Sequence, residues 1–282
     1  MIAGLHGRLF LGNHEGSPPG SLITGLCGGP MDAAVARLRP LLAAAKGLGV
    51  PARLLVVPTA PRLYPEDLPP PYACPAPLAD RVVAALGDPA ALYPIDAMLA
   101  MKPRFDVVPR VHFHWAGEAP LRVAEWVGAG LGLRQALALP LRDDNRRSDL
   151  DGYDRGMGAH SRIREPSLAG VAVCEGGRRC PAAPLPAIVT YSRPGPGRIL
   201  VVADSFGDAV AGDFIEFAGQ VWLLRMNLAL AEPPGAVADV AIRRFKPDAV
   251  IVVYHDAGAL GLDPASRLSL AAATAILEAG QP

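Results

Sequence analysis

The sequence lacks an excess of charge of either sign, because its 27 basic and 27 acidic residues give a formal net charge of zero at neutral pH. A protein that binds nucleic acid or an anionic membrane neutralises phosphates with an excess of lysine and arginine. The composition therefore argues against nucleic acid and against a charged membrane surface as partners.

Long apolar runs are missing as well, and no stretch reaches the roughly 20 residues that a helix needs to cross a bilayer. The first residues, MIAGLHGRLFLGNHEG, have no basic start followed by an apolar stretch and a cleavage site, so no secretory signal is recognised. A complete chain of this kind is expected to be cytoplasmic. A mature form, or a gene given too late a start codon, fits the same residues.

Cysteine is scarce, with four residues at Cys27, Cys74, Cys174 and Cys180. The spacing contains no Cys-x-x-Cys pair and has no nearby histidine, which argues against a zinc site. Cys174 and Cys180 share one glycine-rich loop, CEGGRRCP, and an oxidising compartment would close it as a disulfide. Free buried thiols are the alternative.

The residues that are present indicate a globular protein. About half of them are apolar (51%) and 19% are charged, in a chain of 282 residues that can bury a sizeable core. We expect a single α/β domain over residues 1–282, since α/β domains of this size often stay undivided. The 30 prolines and 30 glycines predict long irregular connections.

Apolar runs alternate with stretches rich in helix-forming residues. Strands are predicted at 52–58, 198–203, 220–226 and 248–254, and helices at 33–49, 78–87, 118–132 and 237–245. Strands without polar residues are typical of sheets covered by helices on both faces, so the pattern predicts a doubly wound, flavodoxin-like parallel sheet. Pro40 is expected to kink or divide the first helix. The polar segment 142–196 is predicted to be an irregular excursion beside the sheet.

Ligands bind such a sheet beyond the carboxyl ends of its strands, where three segments of this chain are expected to converge. They are Asp204-Ser205 after one strand, VHFHWAG (111–117) before a helix, and YHDAG (254–258) after the last strand. A serine becomes a nucleophile when a base accepts its proton, and histidine suits that task. Gly207 would let backbone N–H groups after the serine approach an oxyanion. These parts are typical of acyl transfer.

Each part also has a purely structural interpretation. Ser205 would be a helix N-cap, a position where serine and aspartate are preferred. His114 beside Trp115 would be a core histidine, and His255 and Asp256 would be ordinary loop residues. The joint placement at strand ends favours the functional interpretation.

Six segments in order resemble the SGNH-hydrolase-like domain of the alginate O-acetyltransferases AlgX and AlgJ. They are HGRLFLGN (6–13), LLVVPTAPRLYPEDLP (54–69), HFHWAGEAP (112–120), RSDL (147–150), ILVVADSFGDAV (199–210) and RFKPDAVIVV (244–253). The resemblance covers nearly the whole chain.

The resemblance implies an enzyme that acetylates hydroxyls of a bacterial exopolysaccharide, usually in the periplasm. Its implied partners are the polysaccharide, an acetyl donor and other exopolysaccharide-assembly proteins, with no metal or organic cofactor. These enzymes use a Ser-His-Asp triad in which an Asp-x-His-Trp segment precedes the serine segment. By that resemblance Ser205 is the nucleophile and His114 the base. The residues expected to contact substrate are Trp115, Tyr254, Gly207 and Asp204.

The chain departs from the family at the acid of the triad. Where the family has aspartate two residues before the base, this chain has His112, and Ala203 replaces a glycine before the Asp-Ser pair. A histidine cannot supply the negative charge that holds the base in its productive tautomer.

Three consequences of this departure stay open. Asp256 or Asp106 takes the place of the acid, or His114 and Ser205 work slowly as a dyad, or the domain keeps only a sugar-binding groove. The sequence thus predicts an O-acetyltransferase. The alternatives are an esterase of the same mechanism with water as acceptor, and a non-catalytic polysaccharide-binding or assembly protein.

Overall fold

The structure is a computed structural model that describes residues 1–13, 17–70, 72, 77–152, 158–176 and 184–282. Cys27 and Cys174 are both disulfide-bonded. Cys74 and Cys180 lie outside the described residues, so the Cys174–Cys180 bond stays a prediction.

The described residues form eleven β-strands. They are β1 (Ile2–Ala3), β2 (Leu9–Phe10), β3 (Ala52–Val57), β4 (Ala91–Leu92), β5 (Leu141–Arg147), β6 (His160–Pro166), β7 (Ala172–Glu175), β8 (Ile188–Ser192), β9 (Arg198–Ala203), β10 (Gln220–Arg225) and β11 (Ala249–His255).

The same residues form eleven α-helices. They are α1 (Ser21–Gly28), α2 (Met31–Lys46), α3 (Ala60–Leu63), α4 (Leu78–Leu86), α5 (Ile95–Met101), α6 (Glu118–Gly130), α7 (Gly207–Val210), α8 (Met226–Ala229), α9 (Pro234–Ala238), α10 (Asp256–Ala259) and α11 (Pro264–Ala279). Short 3₁₀ turns lie at Leu5–Gly7, Pro65–Asp67, Asp149–Gly152 and Ala211–Glu216, and a π-helical stretch, Asp239–Arg244, extends α9. Helix α2 continues through Pro40, which therefore does not divide it.

A seven-stranded sheet in the order β4-β3-β11-β9-β10-β8-β7 forms the centre of the fold. The first five strands in that order run parallel to one another, which confirms the α/β prediction. The sheet is nevertheless mixed, because β8 pairs antiparallel with β10 and β7 pairs antiparallel with β8. Only residues 193–197 join β8 to β9, too few for the helical crossover that parallel strands need. The segment predicted as an excursion thus supplies two strands of the sheet.

The order of the parallel strands differs from the flavodoxin-like order. Counted along the chain, they lie as 2-1-5-3-4, whereas the flavodoxin-like order is 2-1-3-4-5. The last strand, β11, is inserted between β3 and β9, and all of its residues are buried. Since successive side chains of a strand point to opposite faces, both faces of β11 are covered.

Strands β5 and β6 form a separate antiparallel hairpin, with Leu141 opposite Pro166 and Arg147 opposite His160. The hairpin packs against the start of α6 at Gly117. A Cβ there would lie 2.9 Å from the carbonyl oxygen of Arg164, and the residue has a φ of +73°, so both space and conformation require glycine. The hairpin therefore approaches the segment that contains His114.

In the described part of the chain, no helix combines the length and hydrophobicity needed to cross a bilayer.

Candidate functional site

Ser205 lies in a tight turn where the buried strand β9 ends and α7 begins. The turn is closed by Asp204, whose side chain accepts the Phe206 N–H at 2.9 Å and whose carbonyl accepts the Gly207 N–H at 3.1 Å. A Cβ on Gly207 would lie 2.2 Å from the Cβ of Ala203, so only glycine lets the turn pack on its own strand. Asp204, not Ser205, thus supplies the side-chain oxygen of this turn, and the serine hydroxyl is left for another partner.

That partner is His114, whose Nε2 lies 2.8 Å from Ser205 Oγ. The two residues are 91 positions apart in the chain, and the predicted proximity of serine and histidine is confirmed. On the other side of the ring, Nδ1 lies 2.6 Å from Oδ2 of Asp149. Serine, histidine and aspartate therefore form one continuous hydrogen-bonded chain.

Asp149 reaches His114 from the tip of the β5–β6 hairpin, where it starts a 3₁₀ turn. Its carboxylate also accepts the backbone N–H groups of Phe113, at 2.8 Å, and His114, at 3.0 Å. The neighbouring Ser148 hydroxyl donates to the carbonyl of Val111. These bonds join the RSDL segment to the VHFHW segment along the backbone, so the acid does not depend on a single side-chain contact.

The same contacts keep Asp149 ionised. Burial raises the pKa of its carboxyl, but the hydrogen bonds and charge of His114 and the backbone donors outweigh burial, and the pKa lies below its ordinary value. A carboxylate that accepts the Nδ1–H of His114 leaves Nε2 free to accept the serine proton.

His112, at the position where the family has its acid, is buried and contacts Asp149 instead. Its Nδ1 lies 3.7 Å from Oδ1 of Asp149. Burial is the main cause that lowers the pKa of His112, which favours the neutral ring. The acidic position of the family motif is therefore filled by an uncharged side chain that packs beside an acid from elsewhere in the chain.

The two acids predicted as substitutes lie in other networks. Asp256 is buried, and its carboxylate accepts the Thr59 hydroxyl at 2.8 Å and the Thr59 N–H at 3.1 Å. Asp106 lies 3.2 Å from the guanidinium of Arg8. Asp149 was missed because 35 positions separate it from His114. The hairpin that brings it close to His114 was predicted to be irregular. The signal that pointed to it was the RSDL segment.

Most of the residues expected to contact substrate are engaged in the core. Trp115 is fully buried, and its Nε1–H donates to the Phe206 carbonyl at 3.0 Å. Tyr254 is also fully buried, with its hydroxyl 2.9 Å from that of Ser269. Burial of such large aromatic rings stabilises the fold, and neither ring is exposed to a substrate.

The backbone donors after Ser205 are engaged as well. The N–H groups of Phe206 and Gly207 both donate to Asp204, so neither is free to stabilise an oxyanion in this structure. The Asp204 carboxylate also bonds His255 of the YHDAG segment, whose Nδ1 lies 2.6 Å from its Oδ2. All three predicted segments therefore meet beyond the carboxyl ends of β9 and β11, although Asp256 is not the residue that makes the contact.

Two clefts flank the hairpin near the triad. The larger encloses about 1080 Å³ between the β5–β6 hairpin and the loop before α6, with charged lining residues of both signs that include Arg104, Arg110, Arg162, Asp106 and Asp143. The smaller encloses about 440 Å³ and is lined by residues that include Gly117, Arg146 and Asp208. None of the triad side chains lines either cleft, but Ala116 and Gly117, which follow His114, line both. Among the described residues, no cluster of three His, Cys, Asp or Glu side chains could hold a metal ion.

No protein-family model matches the sequence, and neither does any curated protein. Solved structures do match it. A DHHW family protein from Eubacterium siraeum is 13% identical and aligns over 86% of this chain and 89% of its own, with a TM-score of 0.63. Bacillus cereus PatB1 with a sulfonyl adduct is 11% identical over 83% and 91%, with a TM-score of 0.60.

The O-acetyltransferase domain of Pseudomonas putida AlgJ is 17% identical and aligns over 92% of both chains, with a TM-score of 0.59. Sequence identities this low show only that the folds are similar. The resemblance inferred from the six segments is confirmed at that level: the chain shares the α/β fold of the AlgJ O-acetyltransferase domain.

Proposed function

We propose that this protein is an O-acyltransferase that carries an acetyl group on Ser205 and transfers it to a hydroxyl of a bacterial exopolysaccharide. The observation that carries the proposal is the hydrogen-bonded chain from Ser205 Oγ through His114 to Asp149, at 2.8 Å and 2.6 Å. A serine needs such a base, and the base needs such an acid, for nucleophilic attack at neutral pH.

In the first half-reaction, Nε2 of His114 accepts the hydroxyl proton while Oγ of Ser205 bonds to the carbonyl carbon of the acetyl donor. The bond from that carbon to the leaving group then breaks as His114 returns the proton to the leaving group. The acetyl group stays on Ser205 as an ester. Asp149 stabilises the transient positive charge on His114.

In the second half-reaction, an acceptor hydroxyl loses its proton to Nε2 of His114 and attacks the ester carbon. The bond to Oγ breaks, and Ser205 regains its proton. The cleft of about 1080 Å³ beside the His114 segment is large enough for sugar residues and has polar lining residues, so we assign it to the acceptor.

The acceptor class that we propose rests on the resemblance of the six segments, and the shared fold supports acetyl transfer in general. The AlgJ domain is an O-acetyltransferase domain, and this chain shares its fold over 92% of both lengths. We extend this to a periplasmic role in exopolysaccharide biosynthesis, with alginate as one candidate acceptor. The disulfide bonds of Cys27 and Cys174 support an oxidising compartment, because cytosolic proteins rarely keep such bonds.

An acetyl-esterase is the second candidate, and the exposure of the site favours it. The side chains of His114 and Asp149 are 28% and 30% exposed, so water can approach the acyl-enzyme. A non-catalytic binding protein is less well supported. The argument for it was the absence of an acid at position 112, and Asp149 places a carboxylate on His114.

The test is turnover of a chromogenic acetyl ester by the wild type and by Ser205→Ala, His114→Gln and Asp149→Asn, with folding confirmed by circular dichroism. Activity that is lost in the serine variant, together with an acetyl group found on Ser205 by mass spectrometry, supports acyl-enzyme chemistry. Adding acetylated donor and a polysaccharide acceptor then separates the two candidates, because only a transferase gives an acetylated polymer. A folded wild type that turns over no acyl ester would overturn both.

A further inference from the structure

A second histidine–carboxylate pair, Asp204 and His255, lies directly behind Ser205. One oxygen of the Asp204 carboxylate accepts both the backbone N–H of His255, at 2.9 Å, and the Nδ1–H of its ring, at 2.6 Å. The other oxygen accepts the N–H of Phe206 at 2.9 Å. One carboxylate therefore joins the end of β11 to the residue that follows the nucleophile.

The backbone on both sides of Ser205 is fixed by these contacts. The Asp204 N–H donates to the Val253 carbonyl of β11 at 3.2 Å, and the Phe206 carbonyl accepts the Trp115 indole N–H at 3.0 Å. Ser205 thus lies between Asp204, which is hydrogen-bonded to β11, and Phe206, which is hydrogen-bonded to Trp115 next to His114. The position of its hydroxyl relative to His114 depends on both ties.

Ring contacts connect the same residues. The His255 ring stacks on Phe206 with centroids 4.9 Å apart and an interplanar angle of 17°. The centroid of the His114 ring is also 4.9 Å from that of Phe206. Phe113 completes the cluster, with edge contacts to His114 at 5.0 Å and to His255 at 5.6 Å. A displacement of His255 would therefore reach the base through two shared rings, Phe206 and Phe113.

The residues around Asp204 and His255 pack closely against the pair. A Cβ on Gly258 of α10 would lie 2.8 Å from Cε1 of His255 and 2.9 Å from Oδ2 of Asp204, so a glycine is needed at this approach. The other ring nitrogen of His255, Nε2, is buried and has no hydrogen-bond partner among the described residues. Stability alone would favour an apolar ring over one with an unsatisfied nitrogen, so the imidazole calls for another explanation.

We propose that His255, acting through Asp204, is a positioning residue that holds the Ser205 turn against β11 and keeps the serine hydroxyl within reach of His114. This inference rests on the proposed function, because it gives His255 a part in the same acyl transfer. His255 itself does not touch Ser205 or the substrate. Its effect is on geometry, where a displacement of about 1 Å can cost about a hundredfold in rate.

The charges around His255 favour its protonated form. Burial lowers the pKa of His255, but the charge and hydrogen bond of Asp204, with the nearby carboxyls of Asp256 and Asp263, outweigh burial and raise the pKa above its ordinary value. A protonated ring stacked on Phe206 strengthens the ion pair with Asp204. The positioning effect is therefore expected to be fully present below the ordinary histidine pKa of about 6.5 and to weaken as the pH rises through the raised pKa of His255.

The experiment compares His255→Phe, which keeps the ring but removes the N–H donor, with His255→Gln, which keeps a donor but no titrating group. Tyr254→Phe, one residue away, is the matched control because it removes only the hydrogen bond to Ser269. The readouts are kcat and KM for a chromogenic acetyl ester across pH, and the rate at which a sulfonyl fluoride labels Ser205. Melting temperatures are measured in parallel.

We expect His255→Phe to lower kcat and the labelling rate by about tenfold to a hundredfold with little change in KM. His255→Gln should recover part of the loss and should lack the decline in kcat with rising pH that His255 gives the wild type, and Tyr254→Phe should keep wild-type kcat. A His255→Phe variant with the labelling rate, kcat and pH profile of the wild type would overturn the inference and leave the proposed function intact. A wild type that neither turns over the ester nor labels would overturn the proposed function, and with it any part for His255.

Discussion

Asp149 Oδ2 lies 2.6 Å from His114 Nδ1 although the residue two positions before His114, where an acid was expected, is a histidine. The acid has not been lost from the site; it enters from a different segment and reaches the same nitrogen. What the triad requires is a carboxylate at Nδ1, and the chain position that supplies it is free to vary.

Replacing Asp149 with asparagine tests this assignment directly. We expect Asp149→Asn to lower kcat for an acetyl ester by up to about four orders of magnitude, because the amide cannot stabilise the imidazolium or select the tautomer. Steady-state kinetics and thermal unfolding are the measurements. Asp256→Asn, in the separate Thr59 network, serves as the comparison and should retain far more activity than Asp149→Asn. Equal losses in the two variants would contradict the assignment of Asp149.

Restoring the family motif should harm this protein rather than help it. His112→Asp would place a second carboxylate beside Asp149, because His112 Nδ1 lies 3.7 Å from Asp149 Oδ1. Two adjacent carboxylates cannot easily both ionise, so the pKa of one rises and the hydrogen bond to His114 weakens. We expect lower kcat than in the wild type, measured with the same ester, and a smaller effect from the neutral His112→Gln. A gain of about tenfold would instead mean that Asp149 does not fill the role of the acid.

The free energy of unfolding should show the lowered pKa of Asp149. A carboxyl with a depressed native pKa contributes stability above its unfolded pKa of about 3.9 and loses it as the pH falls through the native value. The stability that this carboxyl contributes, seen as the difference between wild type and Asp149→Asn, should therefore be present above about pH 4 and shrink as the pH falls below it. Denaturant titrations at several pH values measure it. Asp143→Asn is the control, since that side chain is 93% exposed.

Gly207 is predicted to be indispensable for packing. In Gly207→Ala the new methyl would lie 2.2 Å from the Cβ of Ala203, so the Ser205 turn has to move. We expect a loss of about 1–3 kcal/mol in unfolding free energy and a fall in kcat. Gly130→Ala, in α6 with no atom within 4 Å of the added Cβ, should be neutral or slightly stabilising. Comparable melting temperatures for the two variants would argue against this packing constraint.

The partner of Cys174 can be established chemically. Cys174 is disulfide-bonded, and its neighbour in the glycine-rich loop is Cys180. We expect peptide mass mapping of protein made in the periplasm, without reductant, to give a Cys174–Cys180 cross-linked peptide that separates on reduction. A free thiol at Cys180 would show that the loop is not closed in this way.

The sequence by itself determined the elements that depend on short-range patterns. Apolar runs became the central strands β3, β9, β10 and β11, and the polar turn after β9 brought Ser205 to the edge of the sheet. Because carboxyl ends of parallel strands meet at one edge, the convergence of the Ser205 and YHDAG segments followed from the same pattern.

Only the tertiary structure decided which carboxylate completes the triad and which aromatic rings are buried. Asp149 contacts His114 because the β5–β6 hairpin, which lies outside the main sheet, packs against the His114 segment. Local hydrophobic periodicity does not predict where such a hairpin packs. Trp115 and Tyr254 were expected to contact substrate, but both are fully buried and their polar atoms find partners inside the protein. Contacts between distant segments depend on packing across the whole chain, and for that reason the acid was the part of the site that the sequence left open.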